Sequence, residues 1–199
     1  GHFVDMTSTV GLDRVVMGVG SNFGDLNNDG YDDIVIGTGA SSLGTLVPNL
    51  VFINQGGDKF VDATYSTGMG VLAKGHGVSI GDIDQDGDMD VLMQLGGTVP
   101  SDYYFPHLFI NPGNKNHWLS LKLIGVKSNK LALGSRIDLE LESGRKIHKQ
   151  IDSGGSFGSS PLVVHFGFDN KDKIKELTIH WHGSSDQVIT NLKANHFYE

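Results

Sequence analysis

The chain has 199 residues, 38% of them hydrophobic, enough for one large or two small domains with packed cores. It holds no cysteine, so disulfides play no part, and its 28 glycines against 5 prolines suggest short strands joined by tight turns. No apolar run is long enough to span a membrane, and no basic cluster would favour nucleic acid.

The net charge of −8 is unevenly placed. Residues 25–33 hold Asp25, Asp29, Asp32 and Asp33, and residues 82–90 hold Asp82, Asp84, Asp86, Asp88 and Asp90. Without those nine, 14 acidic residues face 15 basic ones, so the remainder is near neutral. Acidity this local calls for a cation. Gly1-His2-Phe3-Val4-Asp5 has neither the basic end nor the apolar stretch of a signal peptide. A cleaved signal, or one upstream on a longer chain, is therefore expected.

A shift of 57 residues aligns 3–59 with 60–116 without a gap, with 17 identities. Phe3-Val4-Asp5-x-Thr7 meets Phe60-Val61-Asp62-x-Thr64, and Gly11 meets Gly68. Gly18, Gly20 and Gly24 meet Gly75, Gly77 and Gly81, and Phe52-Ile53-Asn54 meets Phe109-Ile110-Asn111. Within each unit the apolar stretches are short, β-branched and bounded by glycine or aspartate. They predict strands near 16–24, 33–37, 49–54 and 59–63, then 74–81, 90–95 and 106–111. Four short strands per repeat is the composition of a β-propeller blade. Two blades are too few to close a propeller, so the chain is expected to belong to a longer one or to assemble head to tail.

From about Asn116 the repeat stops. Alternation over 118–124 and 137–141, a hairpin turn at Glu142–Arg145, and strands near 146–151, 162–166, 177–181, 188–191 and 196–198 predict a small antiparallel sandwich or barrel. Residues 171–176 read as a short helical turn. Trp118 and Trp181 are expected in the core of this unit. The domains are thus 1–115, with two repeats, and 116–199.

The two acidic loops are nine residues long. The first offers Asp25, Asn27 and Asp29 at positions 1, 3 and 5, glycine at 6, the Tyr31 carbonyl at 7 and Asp33 at 9. The second offers Asp82, Asp84, Asp86, the Asp88 carbonyl and Asp90 in the same places. Oxygen donors at these spacings converge when the backbone wraps around a point, and glycine supplies the sharp turn. A set of six or more oxygens without His or Cys selects a hard cation, Ca²⁺ over Mg²⁺, one per loop. An EF-hand would need a bidentate Glu at position 12, where Ile36 and Met93 stand.

The run Gly24-Asp25-x-Asn27-x-Asp29-Gly30-x-x-Asp33-Ile34-Val35 and its partner from Gly81 to Leu92 resemble the FG-GAP or VCBS repeat. That resemblance implies integrin-type propeller blades with calcium in the loop. Asn116-His-Trp118-Leu119, Asn129, Gly134, Gly154-Gly155-Ser156-Phe157, Ser159-Ser160-Pro161, His165-Phe166-Gly167 and the stretch from Val188 to Glu199 resemble the ASPIC/UnbV domain. This domain follows such repeats in cartilage acidic protein and many bacterial secreted proteins. His180-Trp181-His182-Gly183-Ser184 departs from the Trp-Pro-Ser-Gly that the family favours. Together the resemblances imply a secreted or cell-surface, calcium-stabilised interaction protein with no defined ligand.

Other candidates are weaker. His180 and His182, two apart on an expected strand, would share a face and could join a third ligand on Zn²⁺. The serines near Asp152 lack a nucleophile elbow and fit a turn, so no catalysis is expected. Tyr103-Tyr104-Phe105-Pro106 could be an aromatic surface for sugar or protein, and calcium-dependent carbohydrate binding is the alternative function. No N-glycosylation sequon is present.

Overall fold

A computed structural model describes the chain except for residues 40–45, 97–104, 153, 155 and 156. Among the described residues it is all-β, and no helix is long and apolar enough to cross a membrane. The first repeat forms β1 (Gly18–Gly24), β2 (Asp33–Thr38), β3 (Val47–Pro48), β4 (Leu50–Gln55) and β5 (Lys59–Asp62). The second forms β6 (Leu72–Ala73), β7 (Gly75–Gly81), β8 (Asp90–Leu95) and β9 (His107–Phe109). Beyond these lie β10 (His117–Lys122), β11 (Arg136–Leu141), β12 (Lys146–Gln150), β13 (Val163–Phe168), β14 (Ile174–His180), β15 (Gln187–Thr190) and β16 (His196–Tyr198).

The repeat is carried into the geometry. β7 and β8 begin and end 57 residues after β1 and β2, and each inner pair has an irregularity between its first two glycines, Gly18/Gly20 and Gly75/Gly77. The first blade is a four-stranded antiparallel sheet, β1-β2-β4-β5. Val35 and Val51 on one face of it share a core with Val78, Ile80, Val91 and Met93 on the facing side of the second blade. A short bridge, β3 with β6, ties the blades together. Those two-residue strands are too short for alternation to reveal them.

The second blade departs from expectation. Among the described residues it has three strands, β7-β8-β9, because the segment equivalent to β5 falls at 116–119 and enters a different sheet as β10. Its apolar residue Leu119 is fully buried in the second core instead, where it packs with Phe166 and Leu139.

The C-terminal unit is a sandwich of β13-β10-β16 over β12-β11-β14-β15. Its core holds Leu119, Leu121, Ile137, Leu139, Leu141, Phe166, Phe168, Leu177 and Ile179. Two expectations are corrected. β16 runs parallel to β10, so the sandwich is not wholly antiparallel. The helical turn at 171–176 is absent: β14 starts at Ile174, and its inward residues Leu177 and Ile179 follow the two-residue period of a strand.

Candidate metal site

Both acidic loops join the first two strands of their blade, β1 to β2 and β7 to β8, and share one hydrogen-bonding scaffold. Asp25 accepts from the Asp29 N–H at 3.0 Å and the Gly30 N–H at 2.7 Å. Asp82 accepts from Asp86 and Gly87 at 3.1 and 3.0 Å. Asp29 accepts from the Tyr31 N–H and Asp86 from the Asp88 N–H, each at 2.9 Å. At position 9, Asp33 takes the N–H groups of Leu26 (2.9 Å) and Asn54 (2.7 Å), as Asp90 takes those of Ile83 (2.9 Å) and Asn111 (2.8 Å). These last carboxylates are buried struts that lock the loop to the blade's third strand, and each oxygen keeps one lone pair for a further partner. Gly30 and Gly87 sit at φ of 84° and 93°, the left-handed turn expected at position 6.

The structure brings Asp82, Asp84 and Asp86 together, with an oxygen from each within 4.8 Å of the others. In the first loop, Asn27 holds position 3 and its amide donates to Asp29 at 3.1 Å. Burial pushes the Asp25 carboxyl up to about 7 and that of Asp33 up to about 6, with Asp29 adding repulsion to both. Asp82 and Asp88 are also raised, again by burial first, with Asp86 adding repulsion. Burial raises these groups by disfavouring their charged form, and Lys149 offsets only part of that at Asp25.

The loops are not free tips, because the C-terminal unit is seated on them. Asn28, fully buried at position 4 of the first loop, donates to the Gly87 carbonyl and to Asp88 Oδ1, both at 3.0 Å. Its own Oδ1 accepts from His165 Nε2 at 2.6 Å, which leaves His165 Nδ1 to accept from the Ser120 hydroxyl at 3.0 Å. Burial drives His165 down to about 3, so the ring is neutral and both nitrogens are used. Asn114 donates to Asp88 Oδ1 at 2.7 Å, Asn111 bridges the Leu26 and Met89 carbonyls, and Asn116 donates to the Asn27 carbonyl at 3.0 Å. From the turn before β12, Arg145 donates to the Asp29 carbonyl at 2.8 Å and lies 4.2 Å over the Tyr31 ring, while Lys149 pairs with Asp32.

The seat is close enough to demand glycine. A side chain at Gly87 would meet the Trp118 indole at 1.9 Å, and one at Gly167 would meet Asp25 Oδ2 at 2.3 Å. Trp118 therefore lies in the interface, stacked on His165 with centroids 6.4 Å apart, and not in the second core as expected. Trp181 packs against that core at its edge. A cleft of about 820 Å³ opens beside the seat, with Asp25, Asp82, Trp118, Lys149, His165 and Phe197 among its walls.

Position and partner, not residue type, hid the seat from the sequence. Asn28, Asn114, Asn116, Arg145 and Lys149 lie in polar stretches whose partners are remote in the chain, and Ser120 stands between the buried Leu119 and Leu121 of β10. Asn111 was signalled by its repeat identity with Asn54. The expected pair of histidines is not built: β14 ends at His180, and His182 stands in the following turn. His180 is instead held by Asp138 at 3.1 Å and Asp186 at 2.8 Å. Tyr103 and Tyr104 lie outside the described residues, as do Ser153, Gly155 and Ser156, while Phe105 is exposed.

Among curated proteins, none matches the chain. Family models do match: residues 25–93 that of the FG-GAP-like repeat, and residues 125–199 that of ASPIC and UnbV. The first match takes in both acidic loops and the second most of the sandwich seated on them. The chain thus joins an FG-GAP-like repeat segment to a C-terminal ASPIC/UnbV domain.

Proposed function

We propose that this chain is a non-catalytic calcium-binding structural and adhesion module of the extracellular type, in which two Ca²⁺ ions stiffen the blades for contact with protein or matrix. The supporting observation is the duplicated loop: two copies share one hydrogen-bonded scaffold, and in the second an oxygen from each of Asp82, Asp84 and Asp86 lies within 4.8 Å of the others. Asp25, Asn27, Asp29, Asp33 and the Tyr31 carbonyl would hold one ion. Asp82, Asp84, Asp86, Asp90 and the Asp88 carbonyl would hold the other. Each ion would supply positive charge beside carboxyl groups that burial raises, and millimolar extracellular calcium suits loops of modest affinity.

The seat extends this reading. An ion in the first loop would fix Asn28, and Asn28 carries the link to the second loop and to His165. Calcium would then set the angle between blades and sandwich as well as the loops themselves.

Titration calorimetry and metal analysis test the proposal. Two calcium ions per chain are expected, one lost in Asp25→Ala and one in Asp82→Ala, with a lower melting temperature in chelator. Equal melting with and without chelator refutes it. Carbohydrate binding is the second reading, favoured by the cleft where Trp118 and Phe197 stand beside polar groups. A glycan array with Phe197→Ala as control would separate the two.

A further inference from the structure

The loop between β10 and β11 holds two sets of apolar residues, and the core of the sandwich uses only one. Leu123, Ala132 and Leu133 turn inward and pack with that core, Ala132 without any exposure. Ile124, Val126 and Leu131 turn outward and are 47%, 94% and 54% exposed. Val126 projects almost as it would from an unfolded chain. Three aliphatic side chains on one loop are more than the scattered apolar residues of an ordinary surface.

The tip is prebuilt. Gly125 N–H donates to the Lys130 carbonyl at 3.2 Å, and Ala132 N–H to the Asn129 carbonyl at 2.9 Å. The Asn129 side chain closes the loop twice over, donating to the Leu133 carbonyl at 2.7 Å and accepting the Leu133 N–H at 2.9 Å. Ser128 Oγ donates to the His182 carbonyl at 2.7 Å and ties the tip to the turn between β14 and β15. The closure is so tight that a side chain at Gly125 would meet the Asn129 carbonyl oxygen at 2.0 Å. Binding through the outward residues therefore requires little further ordering of the backbone.

Charge around the tip has one sign. In a chain of net charge −8, residues 117–137 contain no aspartate or glutamate, and they carry Lys122, Lys127, Lys130 and Arg136. Lys122 pairs with Glu199 and Arg136 with Asp138, while Asp186 of the adjoining turn is taken by His180. Lys127 and Lys130, next to Val126 and Leu131 in the chain, are exposed and form no ion pair among the described residues. The tip precedes Arg136, at the end of β11 opposite the turn from which Arg145 reaches the first acidic loop.

Shape and charge together select the partner. A stable protein contact uses about 800 Å² of each surface, which a projecting tip of a few side chains does not offer. A bilayer asks for less: aliphatic chains that reach the boundary between headgroups and acyl chains, and cations level with the phosphates. We propose that the 124–131 tip docks on an anionic lipid bilayer, with Ile124, Val126 and Leu131 entering that boundary and Lys127 and Lys130 contacting lipid phosphates. Contact through so few groups is reversible and depends on lipid charge. It turns the end of the sandwich that seats the first acidic loop away from the bilayer. This inference depends neither on the calcium reading nor on the number of blades.

The test is flotation of the chain with vesicles of phosphatidylglycerol and phosphatidylcholine in equal parts, against phosphatidylcholine alone, in calcium buffer. Binding is expected on the anionic vesicles only. Lys127→Gln with Lys130→Gln should weaken it about 30-fold, from about fivefold per lysine, and Val126→Asp with Leu131→Asp at least about tenfold. These side chains are exposed, so both double variants should melt as the wild type does. Because the chain holds no cysteine, Val126→Cys accepts a single environment-sensitive fluorophore, whose emission should shift to the blue on the anionic vesicles. Binding that both double variants leave unchanged, as calcium bridging of lipid to the acidic loops would give, overturns the proposal. So do an absence of binding, an unshifted label or equal binding to neutral vesicles. Binding to polyglutamate with none to vesicles also overturns it, and would assign the tip to an acidic protein.

Discussion

Asn28 is the residue on which the two loops and the sandwich converge, so Asn28→Ala is the most informative single change. The substitution removes two donated hydrogen bonds, to Gly87 and Asp88, and one accepted from His165. It strands the buried His165 N–H and the Gly87 carbonyl, and it places alanine at φ 55°. Each buried polar group left without a partner costs about 1–3 kcal/mol, and left-handed backbone about 1 kcal/mol more in alanine. The expected loss is about 3–7 kcal/mol, a large share of a typical total of about 5–15 kcal/mol. Urea unfolding in calcium buffer measures it. Asn28→Gly serves as a control, since it loses the same bonds but relieves the backbone, and should recover about 1 kcal/mol. If Asn28→Ala unfolds within about 0.5 kcal/mol of the wild type, the clasp carries no energy and the coupling of loops to sandwich is wrong.

Three further outcomes follow from the same geometry. Gly87→Ala should undock the sandwich from the blades, seen as greater amide exchange in β10 and β13, because its side chain would overlap the Trp118 indole. His165 is neutral in the fold, with its protonation pushed down to about 3 by burial, against about 6.5 in the unfolded chain. The unfolded state therefore binds the extra proton: this contribution is complete above pH 6.5 and declines as pH falls towards 3, by about 2 kcal/mol at pH 5. His165→Gln should flatten that part of the stability profile. Finally, calorimetry should resolve two unequal calcium affinities, the second loop binding more tightly, with Asp84→Asn narrowing the gap.

Much of this protein was legible in its residues, for physical reasons that also mark where legibility ended. The 57-residue period located both loops and the inner strands, because glycine and aspartate recur at the same turn positions in the two copies. Strands of five or more residues with one buried face announced themselves by alternation, as β11 did through Ile137, Leu139 and Leu141. The misses have one character. Alternation over 118–124 placed Leu119 and Leu121 in the second unit, but it did not show that this leaves the second blade a strand shorter than the first among the described strands. The Asn28–His165 contact spans 137 residues and joins polar side chains that read as ordinary surface until both are buried together.

The expectation of unequal affinities rests on what stands around each loop. The second loop brings carboxylates at positions 1, 3, 5 and 9, and its carboxylates accept from the side-chain amides of Asn28 and Asn114 and the backbone N–H of Asn111, all uncharged. Its attraction for a divalent ion is therefore not opposed by these partners. The first loop has an amide at position 3, and the sandwich brings the guanidinium of Arg145 to its Asp29 carbonyl and the ammonium of Lys149 to Asp32. Those cations offset part of the loop's charge, which would lower its affinity for calcium but let the seat hold at low calcium. The two loops would then divide the work: the second responds first as calcium rises, and the first, already tethered, tightens the joint between blades and sandwich. Arg145→Gln separates these effects, because it should raise the affinity of the first loop while loosening the sandwich in calcium-free buffer. An unchanged first-loop affinity in that variant would mean that the sandwich does not tune the site.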